Sequence, residues 1–328
     1  MIREIYVYDS FETNPYHNIA TEKALLYKVE PGQCILYLWQ NKNTVVIGHN
    51  QNAWAECRTT LLEEEGGLLA RRLSGGGAVY HDLGNLNFTF LVRDEDYDVD
   101  LQLSVIQEAL RGLGIQAVKS GRNDLLVEER KFSGNAFYHR QGYAYHHGTL
   151  LVDVDMQKLG RYLTPPKAKL EAKGIQSVRS RVANLTEFAP SLTCDSLRNY
   201  MKEAFAKVYG GTPKAITLTK EELETVEQTA QELSTWVWLY GPKLPFSFCC
   251  EERFSWGSIQ LQLDMESGIV TDARAYTDSM DWLLAENIVD ALRGCRFTLA
   301  DLCKALQDHL DDNQICQDLC KLLEQQDI

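Results

Sequence analysis

The sequence predicts an α/β protein of the α+β kind. Mixed, largely antiparallel sheets with flanking helices form a large domain, and a small C-terminal α+β domain completes the chain. Three observations carry this reading. At 328 residues the chain exceeds what one compact core organises, so two domains are expected. Between residues 34 and 152 the apolar runs are short and separated by turn-forming residues, which favours hairpins over regular βαβ crossovers. Gly241-Pro242-Lys243-Leu244-Pro245 has linker chemistry, and the residues after it read as strands and then helices. The expected domains are 1–243 and 248–328.

The N-terminal residues 1–9 alternate like a strand. A helix is expected over 15–29, with Asn14 as N-cap and Pro15 at the first helical position. Its apolar stripe is Ile19, Leu25, Leu26 and Val29. Strands at 34–39 and 44–47 are joined by Asn41-Lys42-Asn43, a turn-forming run. A helix over 54–65 stops at Gly66-Gly67. Strands are expected at 68–72, 78–80 and 87–92, then a helix over 101–113 with Gly112 or Gly114 as its stop. Further strands are expected at 124–127, 136–138 and 145–152, and helices at 194–208 and 220–233. The C-terminal domain shows two strands, one at 253–256 continuing as 258–264 and one at 269–276, with helices from residue 282 onward.

Composition is that of a soluble globular protein. No apolar run approaches twenty residues and the N-terminus does not resemble a signal peptide, so a cytoplasmic location is expected. A net charge of −13 argues against nonspecific nucleic-acid or anionic-membrane binding. Attraction to an acidic protein partner would therefore have to come from a local basic patch. The nine cysteines are scattered with no pair of CxxC motifs, which points to free thiols.

Three blocks hold the residues suited to chemistry. The first is Arg71-Arg72-Leu73-Ser74-Gly75-Gly76-Gly77-Ala78-Val79-Tyr80-His81-Asp82. Its glycines allow positive φ and close backbone approach, so successive N–H groups can converge on an anion. Its arginines add fixed charge in a fork suited to phosphate or carboxylate. By itself the triple glycine reads equally as a tight turn between strands. The second block runs from Asn123-Asp124 to Lys131-Phe132-Ser133-Gly134-Asn135-Ala136. In isolation Lys131 is an exposed hairpin residue and Asp124 a turn cap. The third is His146-His147-Gly148-Thr149-Leu150-Leu151, where paired histidines suggest zinc but no third ligand stands at suitable spacing.

Together the blocks resemble the lipoate–protein ligase A family of the biotin/lipoate ligase superfamily, whose motifs are an RRxSGGGxVYHD loop, a KxSGxA turn and an HHGTLL strand. The resemblance continues through residues 169–185 and resumes at Glu252-Arg253-Phe254-Ser255-Trp256-Gly257, covering nearly the whole chain. It implies a biotin/lipoate ligase-like large domain that uses ATP and Mg²⁺ to activate lipoate as lipoyl-AMP. The acyl group then passes to a lysine of an acceptor protein. The acceptors implied are lipoyl domains of 2-oxoacid dehydrogenase acyltransferase subunits and the glycine-cleavage H protein, with no nucleic-acid or membrane partner.

The same resemblance implies the site. Lys131 is the catalytic cation: the attacking carboxylate, the α-phosphate and the leaving pyrophosphate repel one another, and a point charge among them stabilises the transition state. ATP and lipoyl-AMP are expected against Arg72, Ser74, Gly75, Gly76, Gly77, Ala78, Val79, Tyr80, Asn123, Asp124, Lys131 and His147. Asp124 would hold Mg²⁺ through the nucleotide or contact the adenine. Ser74 is a turn hydroxyl or an acyl-chain neighbour, and Arg71 a ligand contact or a surface ion pair. His147 is assigned to binding rather than acid–base work, while His81 and Asp82 read as structural. The basic run of Lys167, Lys169, Lys173, Arg179 and Arg181 is a solvated loop or a flap over the adenylate. His49 stands where the family usually carries arginine or lysine. The alternatives are an ATP-independent octanoyl or lipoyl transferase, which needs a cysteine that the span 58–193 lacks, and a non-catalytic lipoyl-binding protein. Intact Arg72, Lys131 and triple glycine speak against the second.

Overall fold

A computed structural model describes residues 2–121, 124–163, 182–241 and 248–326. Asn123, the basic run within 167–181 and the linker residues 242–245 lie outside the described residues. The chain divides into two units. The first takes Met1–Val46, Trp54–Arg71 and Ala78–Leu239; the second takes Ile47–Ala53, Arg72–Gly77 and Tyr240–Ile328.

In the first unit, β1 (Glu4–Asp9), α1 (Pro15–Lys28) and β2 (Gln33–Trp39) come first. They are followed by β3 (Thr44–Ile47), two short helices α2 (Ala53–Glu56) and α3 (Thr59–Glu64), β4 (Leu68–Arg71), β5 (Val79–His81) and β6 (Asn85–Arg93). Next are α4 (Val99–Arg111), β7 (Val118–Ser120), β8 (Asp124–Val127), β9 (Arg130–Arg140), β10 (Tyr143–Leu151) and α5 (Met156–Tyr162). The unit closes with α6 (Cys194–Tyr209), β11 (Lys214–Ala215), α7 (Lys220–Leu233) and α8 (Trp236–Tyr240). One eight-stranded sheet runs β11-β1-β2-β6-β10-β9-β8-β7, and a second, three-stranded sheet runs β4-β3-β5.

The large sheet is mostly antiparallel, as the hairpin pattern predicts. The expectation of hairpins in place of crossovers fails at one end: β1 pairs parallel with β2, register Ile5↔Cys34, and α1 is the crossover. Parallel neighbours need a long connection, and the helix provides it. Asn14 caps α1 by accepting from the Tyr16 N–H at 2.9 Å. The helix expected over 54–65 is broken, because the Arg58 N–H turns to the Tyr162 carbonyl at 2.9 Å and Cys57 forms a β-bridge with Leu163. Phe88 and Phe90 of β6 meet Ile106 and Leu110 of α4 and Met201 and Phe205 of α6 in the main core. Each is fully buried.

The second unit holds a three-stranded antiparallel sheet of β12 (Phe248–Phe254), β13 (Gly257–Glu266) and β14 (Ile269–Thr277). Helices α9 (Leu284–Leu292), α10 (Leu299–His309) and α11 (Asn313–Glu324) come after it. Two strands are expected from the sequence and three are found. The run Phe248-Cys249-Cys250-Glu251-Glu252 buries only Cys250 well, so its alternation is too weak to read as a strand. The unit also takes in two segments from early in the chain. The Arg72 N–H donates to the Ile47 carbonyl at 3.0 Å, the His49 N–H to the Ser74 carbonyl at 2.9 Å, and the Thr277 N–H to the Asn50 carbonyl at 2.9 Å. Among the described residues no helix is long and apolar enough to cross a membrane.

Candidate active site

Lys131 stands just after the β8–β9 hairpin turn, whose two central residues, Glu128 and Glu129, have φ of 49° and 63°. Two positive φ values describe a type I′ turn, which matches the twist of the strands it joins. The register shifts between Leu125 and Leu126, so Asp124 pairs with Gly134 while Leu126 pairs with Lys131. An irregularity of this kind re-aims a side chain. Here it brings the Lys131 Nζ to 2.7 Å from Asp124 Oδ1, with both side chains about one-third exposed at 36% and 35%. The lysine chain lies across Gly134, where a Cβ would meet Nζ at 3.0 Å. An ammonium has three donors, and Asp124 uses one. The Lys131 carbonyl accepts from the Ala183 N–H at 2.9 Å, which anchors the backbone independently of the side chain.

His147 is 7% exposed on β10. Its Nδ1 lies 2.8 Å from Oε1 of Glu22, a fully buried carboxyl on α1. The same oxygen accepts from the Thr89 hydroxyl at 2.7 Å, and Thr89 Oγ1 accepts from the Trp39 indole N–H at 3.1 Å. Sequence reasoning missed Glu22. The signal was a charged residue inside the apolar face of α1, three positions after Ile19 and four before Leu26.

His146 faces the opposite side of the strand and is fully buried beside Phe88. Burial, with lesser effects from His147 and Lys119, pushes its pKa down to about 3, so the ring is neutral. Nε2 lies 2.8 Å from Asn135 Oδ1, and the Gln102 amide faces Nδ1 at 3.2 Å. With Nε2 donating, Nδ1 accepts; Gln102 Oε1 is the atom placed at 3.2 Å, so a flip of that amide, whose buried Nε2 otherwise has no partner, supplies the donor. The folded pKa lies below the ordinary 6.5, so the unfolded chain protonates first on acidification. Stability from this group is complete above about pH 6.5 and is lost as pH falls toward 3. Urea unfolding of His146→Gln should lose about 2 kcal/mol less than the parent between pH 6.5 and 5. Equal losses in the two proteins would remove His146 as the titrating group.

The glycine loop lies in the second unit and departs from the expected cradle. The Gly76 N–H donates to the Ser279 carbonyl at 2.8 Å and is not turned toward a ligand. Arg72 is 7% exposed, and its guanidinium donates to the carbonyls of Gly75 at 2.7 Å and Gly77 at 2.8 Å and to the Ser74 hydroxyl at 3.1 Å. A buried guanidinium takes the nearest acceptors, and the folded-back loop offers three. Ser74 is fully buried, and Gly77 is the exposed glycine of the loop.

Further positions lie in the first unit. Arg71 is not a surface ion pair: it is 7% exposed and donates to the Leu239 carbonyl at 2.6 Å. Tyr80 is buried against Tyr162 and donates to Asn43 Oδ1 at 3.1 Å, which makes it a core residue; Ala78 and Val79 are half-buried. His81 pairs with Asn41 at 3.1 Å, and Asp82 accepts from the Gly84 N–H at 2.8 Å. Among the described residues no group of three or more His, Cys, Asp or Glu is arranged to hold a metal ion.

Comparison with known proteins gives the family. The family model of the lipoyl protein ligase A/B catalytic domain matches residues 14–206, and that of the bacterial lipoate protein ligase C-terminus matches residues 243–323. Lipoate-protein ligase A of Bdellovibrio bacteriovorus is 42% identical over 300 residues, covering 89% of this chain and 88% of the relative. The crystal structure of P. falciparum LipL1 in complex with lipoate is similar with a TM-score of 0.84 at 28% identity, covering 98% of this chain and 99% of that one. A bipartite lipoate protein ligase from Thermoplasma acidophilum, solved with its E2 lipoyl domain, gives 0.66 at 29% identity over 76% of this chain and 100% of that one. A lipoate-protein ligase A bound with ATP gives 0.64 at 28% identity over 74% of this chain and 99% of that one. The chain belongs to the lipoyl protein ligase A/B family.

Proposed function

We propose that this chain is an ATP-dependent lipoate–protein ligase whose reaction centres on Lys131. The observation that carries the reading is an ammonium on the β8–β9 hairpin, 2.7 Å from the Asp124 carboxylate and still one-third exposed. In the first step a lipoate carboxylate oxygen attacks the α-phosphorus of ATP, and pyrophosphate leaves with the electrons of the broken P–O bond. In the second, the amine of an acceptor lysine attacks the mixed-anhydride carbonyl, loses a proton and releases AMP. Negative charge gathers near the same atoms in both steps, so one fixed cation serves both. On the first unit, His147, Ala78 and Val79, with Asn123, are proposed walls of the adenylate site. Its fixed charge comes from Lys131, since Arg72 is engaged by its own loop.

A nucleotide-bound Mg²⁺ is usually held by one or two carboxylates, phosphates and water, and Asp124 beside Lys131 fits that donor set. Bound there, Mg²⁺ would offset phosphate charge. Proposed acceptors are lipoyl domains, as for the Thermoplasma relative solved with its E2 lipoyl domain, and the glycine-cleavage H protein. Residues 1–243 are taken to carry both steps and 248–328 to be accessory. A cytoplasmic location suits an ATP-consuming reaction.

A cysteine-thioester route lacks a nucleophile. No cysteine lies within 58–193, and burial pushes the flanking Cys57 and Cys194 thiols up to about 12. Pyrophosphate–ATP exchange that depends on lipoate tests the reading; exchange that ignores lipoate, or responds instead to biotin, removes it. Octanoate lacks only the dithiolane sulfurs. Burial of the shared methylenes is worth ~0.8 kcal/mol each, so discrimination should be modest. Octanoate is expected to support slower but measurable exchange, and none at saturation would contradict a chain-burying pocket.

A further inference from the structure

We propose that Cys303 and Cys320 form a redox-active dithiol in the second unit, which a small-molecule disulfide such as oxidised glutathione closes into a bond stapling α10 to α11. Their placement follows from the register of the helix pair. Both helices give residues to one core, Leu302 and Leu306 from α10 and Ile315, Leu319 and Leu323 from α11. Residues 310–312 join them, so the helices run in opposite directions. The buried Cys316 thiol reaches the Leu306 carbonyl at 3.5 Å and fixes one level of the pair. Cys303 lies one turn before Leu306, and Cys320 one turn after Cys316. In an antiparallel pair those two steps lead the same way, and residues three or four apart share a helix face. Cys303 therefore meets Cys320 at the next level. Burial, and then the adjacent Cys303 thiol, pushes the Cys320 thiol up to about 12.

The two free thiols differ in access, which sets the order of the chemistry. Cys303 is half-buried, whereas Cys320 is 9% exposed. The more accessible Cys303, as thiolate, attacks one sulfur of oxidised glutathione and releases one glutathione. Cys320 then gives up its proton and attacks the Cys303 sulfur of that mixed disulfide, releasing the second. Two thiols are oxidised, one disulfide is reduced, and the two protons leave on the two glutathiones. A disulfide requires Cβ vectors that face each other, which opposed positions on a helix pair supply. Cys316 does not compete, because it is 3% exposed and its thiol is turned to the carbonyls of Leu306 and, at 3.6 Å, Leu310.

The test incubates the full chain with oxidised glutathione, alkylates the remaining thiols and maps disulfide-linked peptides by mass spectrometry. The expected product is a bond between Cys303 and Cys320 that dithiothreitol reopens, with a higher urea midpoint in the oxidised than in the reduced protein. Cys316→Ser should keep the bond, and Cys320→Ser should leave Cys303 as a mixed disulfide with glutathione. A parent in which both sulfurs are alkylated after oxidation overturns the proposal. So does a parent with Cys303 joined to Cys316, or held only as the mixed disulfide. A bond that forms without raising the midpoint overturns its role as a staple. The parent's peptide map decides the pairing even if a serine variant does not fold.

Discussion

Lys131→Ala should lose about a thousandfold or more of lipoate-dependent pyrophosphate exchange while remaining folded. The side chain is one-third exposed and its ion-pair partner among the described residues, Asp124, is equally so, which makes the pair worth little to stability. The backbone bond from Ala183 to the Lys131 carbonyl survives the substitution. Lysine presents a compact point charge, whereas arginine presents a planar fork on a longer stem, so Lys131→Arg is expected to keep only a small fraction of the exchange. The transfer step can be read separately by supplying preformed lipoyl-AMP, and it should fall as well, because the same cation faces the carbonyl oxygen. An alanine variant with parental exchange would leave the proposed chemistry without its cation.

Gly148→Ala should be destabilised by about 3 kcal/mol, near the upper end for an added methyl in a packed interior. Gly148 lies on β10 between β6 and β9, paired with Phe88 on one side and Asn135 on the other. A Cβ there would stand 2.7 Å from Asn135 Oδ1, 2.7 Å from Phe88 Cζ and 2.8 Å from the Gly134 carbonyl oxygen. None can retreat freely: Asn135 is tied to His146, and Phe88 is in the core. The glycine of the HHGTLL strand is thus a packing device. Urea unfolding measures the effect; a parental midpoint would show that the sheet accommodates the methyl group.

Local pattern reveals some of this structure and hides the rest. The helix starting at Pro15, its Asn14 cap and the strand at 124–127 were legible because capping and alternation involve only near neighbours. The parallel pairing of β1 with β2 was not, since the same apolar runs suit either direction. The motif blocks named Lys131 and Asp124, seven positions apart, but read Lys131 as a turn residue; the structure puts it on β9, next to the strand of Asp124. Glu22 stayed hidden because its partner His147 is 125 positions away, and a glutamate in a helix is ordinarily read as solvent-facing.

By itself the sequence determined the kit of reactive groups: a lysine after a hairpin turn, a nearby carboxylate, a glycine-rich loop and no usable cysteine. These are short-range facts, and they carry the family. Only the tertiary structure decided which of those groups are already engaged. Arg72 and the Gly76 N–H are taken up by the loop and by Ser279, Tyr80 by Asn43, and His147 Nδ1 by Glu22. The reason is that buried donors and acceptors must find partners wherever the fold brings them, and for the Gly76 N–H, Tyr80 and His147 those partners lie tens to hundreds of residues away.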